Sequence, residues 1–320
     1  MRRAVLLLLV LLAASAAAGL VGRSFLADLR EARAKAAHGG KIVSTDAFVL
    51  EYAEAGSGTP LLSIHGAGGG YDQGLLIASE LIGDGFRVIA PSRFGYLGTP
   101  VPADASVAAQ ADAHAALLDV LDVDKAVVVG TSAGARSALV MALRHPDRVA
   151  ALVLLVPGTY APTSPVMVEG SRTSKLTLAV VNAGADFAWW TIQRLAPSVL
   201  VRFLGVRPEV VAAGSAQEQA RVAGIAASIL PLSQRFHGIN LDSVPDLHRL
   251  PLETIKVPTL VVSSRDDLFN TLPAAEYAAA GIPGARLVAF ETGGHLLVGR
   301  EAATRALLAE FLGKVASRHP

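Results

Sequence analysis

The sequence predicts an α/β fold with a mostly parallel, doubly wound sheet. Strand-like and helix-like segments alternate along most of the chain, the pattern of a parallel sheet covered on both faces. Polar and glycine-rich residues also gather where each strand-like run ends, and in open α/β sheets that edge binds ligands. With 320 residues the chain is long enough for a sizeable core in one large domain, or in a domain carrying an insertion.

The N-terminal segment stands apart from this pattern. After Met1-Arg2-Arg3 comes Ala4 to Val21, apolar throughout except for Ser15, and Arg23 then restores charge. A basic start, a Leu/Val-rich run and small residues at Ala16-Ala17-Ala18 fit a signal peptide with an A-x-A cleavage site. As a helix at about 1.5 Å per residue the run reaches roughly 27 Å, close to the hydrocarbon thickness of a bilayer. Residues 1–22 are therefore expected to be a signal peptide or membrane anchor, which implies export or membrane attachment through residues 4–21. Residues 23–40, helix-forming and of mixed charge, are expected to be a linker resembling a stalk.

The strand-like runs follow in order. Leu61–Ile64 leads into His65-Gly66, Phe86–Ala90 ends at Pro91, and Lys125–Val129 ends at Gly130. Val149–Val156 ends at Pro157, Thr259–Val262 runs into Ser263-Ser264-Arg265-Asp266-Asp267, and Arg286–Phe290 precedes Glu291-Thr292-Gly293-Gly294-His295. Helical stretches fill the gaps, among them Gln110–Leu121 and Ala133–Arg144, the latter closing at His145-Pro146.

The run VVVGTSAGAR, Val127 to Arg136, carries the strongest chemical signal. G-x-S-x-G between a strand and a helix is a nucleophile elbow, which forces the serine through a strained turn so that its hydroxyl projects from the sheet. Gly130 and Gly134 lack side chains because the strand and the departing helix nearly touch. The helix start also presents free N–H groups to an anion forming beside Ser132. On its own the pentapeptide is equally an ordinary glycine-rich turn, so it needs partners. They occur in the order Ser…Asp…His: Asp266-Asp267 after one strand and His295 after the next. A serine hydroxyl is a poor nucleophile until an imidazole takes its proton, and a carboxylate fixes the imidazole's tautomer. His65-Gly66-Ala67-Gly68-Gly69-Gly70 supplies a pliable backbone able to aim an N–H at an oxyanion, complementing the N–H that follows the serine.

From about Val49 to Leu312 the chain resembles the α/β-hydrolase fold superfamily, through LLSIHGAGGG, VIAPSRFGYLGT, VVVGTSAGA, HPDRVAALVLLVP, VPTLVVSSRDD and ETGGH. The resemblance implies Ser132 as nucleophile, His295 as base and Asp267 as the acid, with Asp266 a turn residue. It places backbone oxyanion donors at Ala67 and Ala133. It also implies a core of residues 41–157 and 246–320 and a helical cap inserted at residues 158–245. The cap is rich in apolar residues, including Val166, Met167, Val180, Val181, Phe187, Leu200 and Phe203, and holds both tryptophans, Trp189 and Trp190, which would at least in part seat it on the core. One departure is Ser92, where the family often has Asp; that position is usually structural.

Other chemistries lack their signatures. Charge nearly cancels, 28 basic against 27 acidic residues, with no basic block for nucleic acid. With no cysteine there is neither a disulfide nor a thiolate site. Tyr71 stands where a dinucleotide fingerprint needs its third glycine, no phosphate-binding G-x-x-x-x-G-K-[ST] occurs, and the eight histidines are scattered, so no metal and no cofactor is called for. His65 reads as a loop organiser, His114 and His145 as surface or capping residues, and Arg93 and Arg136 as structural hydrogen-bonders. An apolar lid over a serine nucleophile favours a small lipophilic substrate. The expected activity is hydrolysis of a lipophilic carboxylic ester. A C–C bond hydrolase, a perhydrolase-like enzyme and a non-catalytic binding protein of the same fold stand as alternatives.

Overall fold

The computed structural model describes residues 2–45, 47–163, 179–181, 183–243 and 247–316. Val166, Met167 and Val244, all assigned to the cap or its edge, lie outside the described residues. Among the described residues eight strands form one sheet in the order β1-β2-β4-β3-β5-β6-β7-β8. From β4 outward the core is parallel: β4 (Phe86–Pro91), β3 (Thr59–Ile64), β5 (Ala126–Thr131), β6 (Val149–Leu155), β7 (Thr259–Ser264) and β8 (Arg286–Phe290). The six expected strands all form, within two residues of their expected ends. Two further strands precede them. β1 (Lys41–Ser44) and β2 (Val49–Ala55) run antiparallel and extend the sheet beyond β4.

Helices cover both faces. Val128, Leu152 and Val261 point to one face, where α3 (Val107–Val120), α4 (Gly134–Arg144) and α10 (Leu272–Gly281) pack. Val127, Val129 and Val153 point to the other, against the turn that follows α2 (Tyr71–Ile77) and against α11 (Glu301–Ala316). Apolar residues on both sides of one strand are what a doubly covered parallel strand requires. Ser106 caps α3 by accepting from the Ala109 N–H at 3.1 Å.

Between β6 and β7 lies a helical layer over the strand ends: α5 (Asp186–Leu195), α6 (Pro197–Phe203), α7 (Pro208–Ala213), α8 (Ala216–Ser228) and α9 (Phe236–Ser243). Its own apolar cluster includes Trp189, Trp190, Leu200, Ile229 and Ile239. The two tryptophans have different surroundings. Trp189 is wholly buried and lines a cavity above the sheet, whereas the Trp190 indole donates to Asp28 of the N-terminal helix at 2.7 Å.

That helix, α1 (Arg2–Ala37), is unbroken. Its apolar half is exposed throughout, while Leu29 and Ala36 are buried. The segment expected to be a linker thus continues the helix and packs on α5.

The elbow glycines allow a close approach of strand and helix in the core. A Cβ on Gly134 would lie 2.4 Å from the His65 carbonyl oxygen and 2.6 Å from that of Ile64. A Cβ on Gly130 would lie 2.6 Å from Ala138 Cβ. Backbone atoms of β3 cannot yield as a side chain can, so Gly134→Ala is expected to lower stability by about 1–3 kcal/mol, measured as the denaturant midpoint. An unchanged midpoint would mean that β3 and α4 are not in this contact.

Candidate active site

Parallel register brings the C-terminal ends of β3, β5, β6, β7 and β8 to one edge: Ile64 lies opposite Gly130, Thr131 opposite Leu155, Leu155 opposite Val262, and Ser264 opposite Phe290. The loops leaving these ends carry every candidate residue.

Ser132 follows β5 directly and sits at φ 51°, in the left-handed region that a non-glycine residue enters at a cost. Its backbone is pinned on both sides. Its N–H donates to the Leu155 carbonyl at 2.9 Å, and its carbonyl accepts from the Gly158 N–H at 2.9 Å. His295 Nε2 lies 2.8 Å from Ser132 Oγ, and His295 Nδ1 lies 2.8 Å from Asp267 Oδ2. With a carboxylate beside Nδ1, that nitrogen carries the proton, and Nε2 offers its lone pair to the serine hydroxyl. Asp267 is held by the Phe269 N–H at 2.8 Å on its other oxygen and by the Thr271 hydroxyl.

The two adjacent aspartates separate cleanly. Asp266 accepts from the Ser264 hydroxyl at 2.5 Å and from the Gly294 N–H at 2.7 Å, so it ties the end of β7 to the histidine loop without touching the imidazole. Burial alone would raise its carboxyl, but the bonds from Ser264 and from the Gly294 and Gly293 N–H groups hold it below the usual range.

Ala67 and Ala133 both line the cavity beside Ser132, Ala67 exposed and Ala133 buried. The loop bearing Ala67 is fixed from below. The Gly66 N–H donates to Gln73 Oε1 at 2.9 Å, and the His65 ring lies 2.7 Å from the Gly66 carbonyl through Nδ1 while Nε2 accepts from the Arg93 N–H at 2.9 Å. A ring donating through one nitrogen and accepting through the other is neutral, and burial together with the Arg93 charge lowers its pKa accordingly. His65 therefore organises the loop, as the sequence suggests. Ser92, the departure from the family pattern, is fully buried; it accepts from the Tyr71 N–H at 3.0 Å and donates to Glu51 at 3.0 Å. His114 is a correction: it is not a surface residue but fully buried, 3.3 Å from Ser137 Oγ, and burial pushes its pKa down to about 3. His145 does sit at the helix end, 2.7 Å from Asp112.

Three groups escape sequence reasoning. Asp242, on α9, receives Arg93 at 2.9 and 2.6 Å and the Tyr96 hydroxyl at 2.5 Å, with Arg136 at 3.5 Å. Burial would raise its carboxyl, but the Arg93 guanidinium beside it brings the pKa down to about 2. Gly205, between α6 and α7, accepts through one carbonyl from both the Leu268 and the His295 N–H groups at 3.1 Å. On α8, Arg221 donates to the Leu296 carbonyl at 2.9 Å, and Glu218 accepts from the Gly299 N–H at 3.0 Å. The helical layer thus grips the histidine loop at three backbone points. None of these contacts has a local signature, since each joins residues far apart in the chain.

The cavity holds about 390 Å³ and is walled mostly by apolar side chains, among them Leu76, Ile77, Trp189, Phe203, Leu204 and Ile229. Ser132 and His295 open onto it. Among the described residues no three His, Asp or Glu side chains cluster as a metal-ligand set.

Residues 59–301 match the family model described as alpha/beta hydrolase fold. The chain belongs to the α/β hydrolase fold family. Like other enzymes of that family, it is a hydrolase. It is 27% identical over 255 residues to a 2-hydroxy-6-oxo-6-phenylhexa-2,4-dienoate hydrolase of Comamonas testosteroni, covering 78% of this chain and 85% of that one. It is 32% identical over 218 residues to a pimeloyl-[acyl-carrier protein] methyl ester esterase of Aromatoleum aromaticum, covering 66% and 81%. Among solved structures, an alpha/beta hydrolase fold protein from Nakamurella multipartita superposes with a TM-score of 0.63 at 28% identity, covering 85% of this chain and 98% of that one.

The two aspartates make opposite predictions. Asp267→Asn is expected to cut turnover by about 10⁴-fold, because an amide at that position leaves the imidazole in the wrong tautomer. Asp266→Asn is expected to keep turnover within several-fold and to lower the melting temperature instead. Rates and melting curves of both variants check this, and the reverse pattern would give the acid role to Asp266.

Proposed function

We propose that this hydrolase cleaves a lipophilic carboxylic ester through an acyl-enzyme on Ser132. The observation that carries the proposal is the continuous line Asp267–His295–Ser132, two contacts of 2.8 Å, opening into an apolar cavity. Ser132 Oγ attacks the ester carbonyl carbon while His295 Nε2 takes its proton. The Asp267 carboxylate stabilises the imidazolium that forms. The carbonyl oxygen becomes an oxyanion facing the N–H groups of Ala67 and Ala133, at the start of α4. Collapse expels the alcohol, which leaves with the proton from His295. A water then gives a proton to His295 and attacks the acyl carbon, releasing the acid and restoring Ser132.

The same cavity supports a second reading, cleavage of a C–C bond. The Comamonas relative is named for a dienoate substrate, and Arg136 places a guanidinium in the cavity wall that suits a carboxylate. The ester reading is preferred because the cavity is predominantly apolar and the guanidinium already binds the Gly158 carbonyl at 2.8 Å.

We further propose that the apolar half of α1 anchors the enzyme in a membrane. It is a helix long and apolar enough to cross one, its apolar run is exposed along its length, and it continues without a break into a segment docked on the protein.

Turnover of p-nitrophenyl esters is expected to rise with acyl length until the cavity is filled. Ser132→Ala is expected to lower it by about 10⁶-fold while leaving circular dichroism and melting unchanged. Retained turnover in that variant would refute the acyl-enzyme. Carbon–carbon cleavage of a 2-hydroxy-6-oxo-dienoate by the wild type, with ester turnover at background, would transfer the assignment to the second reading.

A further inference from the structure

We infer that Arg235 of the cap is a positioning residue: it holds the turn Gly66–Gly69 so that the Ala67 N–H faces the oxyanion. This role rests on the proposed acyl-enzyme chemistry, with Ala67 as one of its two donors.

The geometry begins with one peptide unit. The Gly66 carbonyl and the Ala67 N–H belong to the same planar trans peptide and point in opposite directions. Whatever fixes that oxygen therefore aims that N–H. Two groups fix it, the His65 ring through Nδ1 at 2.7 Å and the Gly69 N–H at 3.3 Å. The second bond closes a four-residue turn with Ala67 and Gly68 at its corners. Gly68 sits at φ 78°, in the left-handed region that favours glycine. Three of the four residues of this turn are glycines, so its rigidity has to come from outside.

The support comes from the cap. Arg235 directly precedes α9 and is 1% exposed. Its Nη1 donates to the Gly69 carbonyl at 2.6 Å and to Asp72 at 3.1 Å, and its Nη2 donates to Asp72 at 2.6 Å. Asp72 lies in the first turn of α2, and the next residue, Gln73, accepts from the Gly66 N–H at 2.9 Å. Both ends of the turn are thus referred to one helix, Gly66 directly and Gly69 through the guanidinium. The Arg235 backbone is fixed in its turn. Its N–H donates to the Leu232 carbonyl at 2.9 Å, and its neighbours are stitched to the loop after β4 by Leu97 N–H to Gln234 at 2.7 Å and Gly238 N–H to Gly95 at 2.9 Å. Further along α9, Asp242 accepts from the Tyr96 hydroxyl, which itself accepts from the Gly68 N–H at 3.3 Å. One stretch of the cap therefore reaches both residues that follow Ala67.

Stability alone does not call for an arginine here. Burying a charged pair costs desolvation that its attraction repays only in part, and well-packed apolar side chains often serve as well or better. An apolar side chain cannot bridge a carboxylate and a carbonyl at fixed angles, whereas the planar guanidinium fork does so. Oxyanion donors act through preorganisation, and a misplacement of about 1 Å can cost about 10²-fold in rate. The buried fork supplies that precision.

Arg235→Met/Asp72→Asn removes the fork and its carboxylate together, so neither charge is left without the other. The measurements are kcat and KM for a p-nitrophenyl ester, and inhibition by a matched pair of alkyl ketones. With the trifluoromethyl ketone, Ser132 Oγ adds to the carbonyl carbon, its proton passes to His295, and the carbonyl oxygen becomes an oxyanion. The corresponding methyl ketone occupies the cavity without adding the serine. In the double variant kcat is expected to fall about 10- to 100-fold and trifluoromethyl ketone binding to weaken by a similar factor. KM and methyl ketone binding are expected to stay within about twofold, because the cavity wall is untouched. Arg235→Lys, which keeps a donor for the Gly69 carbonyl, is expected to recover most of the loss. Asp72→Asn alone is expected to shift kcat and trifluoromethyl ketone binding in the same direction by several-fold, and it carries the test if the double variant does not fold. An unchanged kcat, or both ketones weakened equally in folded protein, would overturn the positioning role and leave the acyl-enzyme standing. Wild-type protein with neither ester turnover nor trifluoromethyl ketone binding would refute the ester reading, and this role with it.

Discussion

Ser132 is held at a positive φ, a conformation that costs about 1–3 kcal/mol and lasts only where surrounding structure enforces it. The enforcement is local and steric. Gly130 lets Ala135 and Ala138 of α4 lie against β5, and Gly134 lets α4 press on the backbone at the end of β3. Between these contacts the chain has one route from strand to helix, and it turns the serine side chain out of the sheet. The Leu155 and Gly158 hydrogen bonds close that route from the β6 side. Everything else in the site is arranged around where this hydroxyl points.

The histidine is positioned by a different principle. Its loop carries Gly293 and Gly294 at positive φ and Leu297 in the left-handed region, so it has little regular structure of its own. Its backbone is instead fixed by the cap, through Gly205, Arg221 and Glu218, and by Asp266. A Cβ on Gly205 would lie 2.5 Å from His295 Cβ, so the cap approaches the imidazole as closely as α4 approaches β3. The cap is therefore part of the scaffold of the histidine as well as the wall of the cavity. The buried Arg93–Asp242 pair extends the same design to the loop bearing Ala67: it joins α9 to the end of β4 beside His65, whose ring organises that loop. Removing one partner of such a pair leaves an uncompensated buried charge, which typically costs about 3–5 kcal/mol.

Much of this was legible in the chain because its causes are local. The elbow glycines, the strand that ends at them, and the aspartates and histidine after later strands all announce themselves within a few residues. What was not legible depends on distant partners. β1 and β2 carry no continuous apolar run: Glu51 and Glu54 interrupt β2, and their acceptability rests on Ser92, Gly98, Lys41 and Arg87 elsewhere. His114 sits in a helix of ordinary composition, and only packing against Ser137 of α4 reveals that it is buried. Asp242 pairs with Arg93 across 149 positions, and Gly205 looks like any turn glycine until its carbonyl is found between two loops. The segment after the apolar run reads as a stalk by composition, yet Phe25, Asp28 and Ala32 dock it on the cap.

The proposed chemistry has His295 activate Ser132, which becomes acylated. Its most direct measurement is the intact mass of the protein after exposure to a fluorophosphonate, followed by peptide mapping. A single phosphonyl adduct on the peptide containing Ser132, lost in His295→Ala and blocked by a slowly turned-over ester, is the predicted result. An adduct on another residue, or none at Ser132 in protein that is folded by circular dichroism, would contradict it.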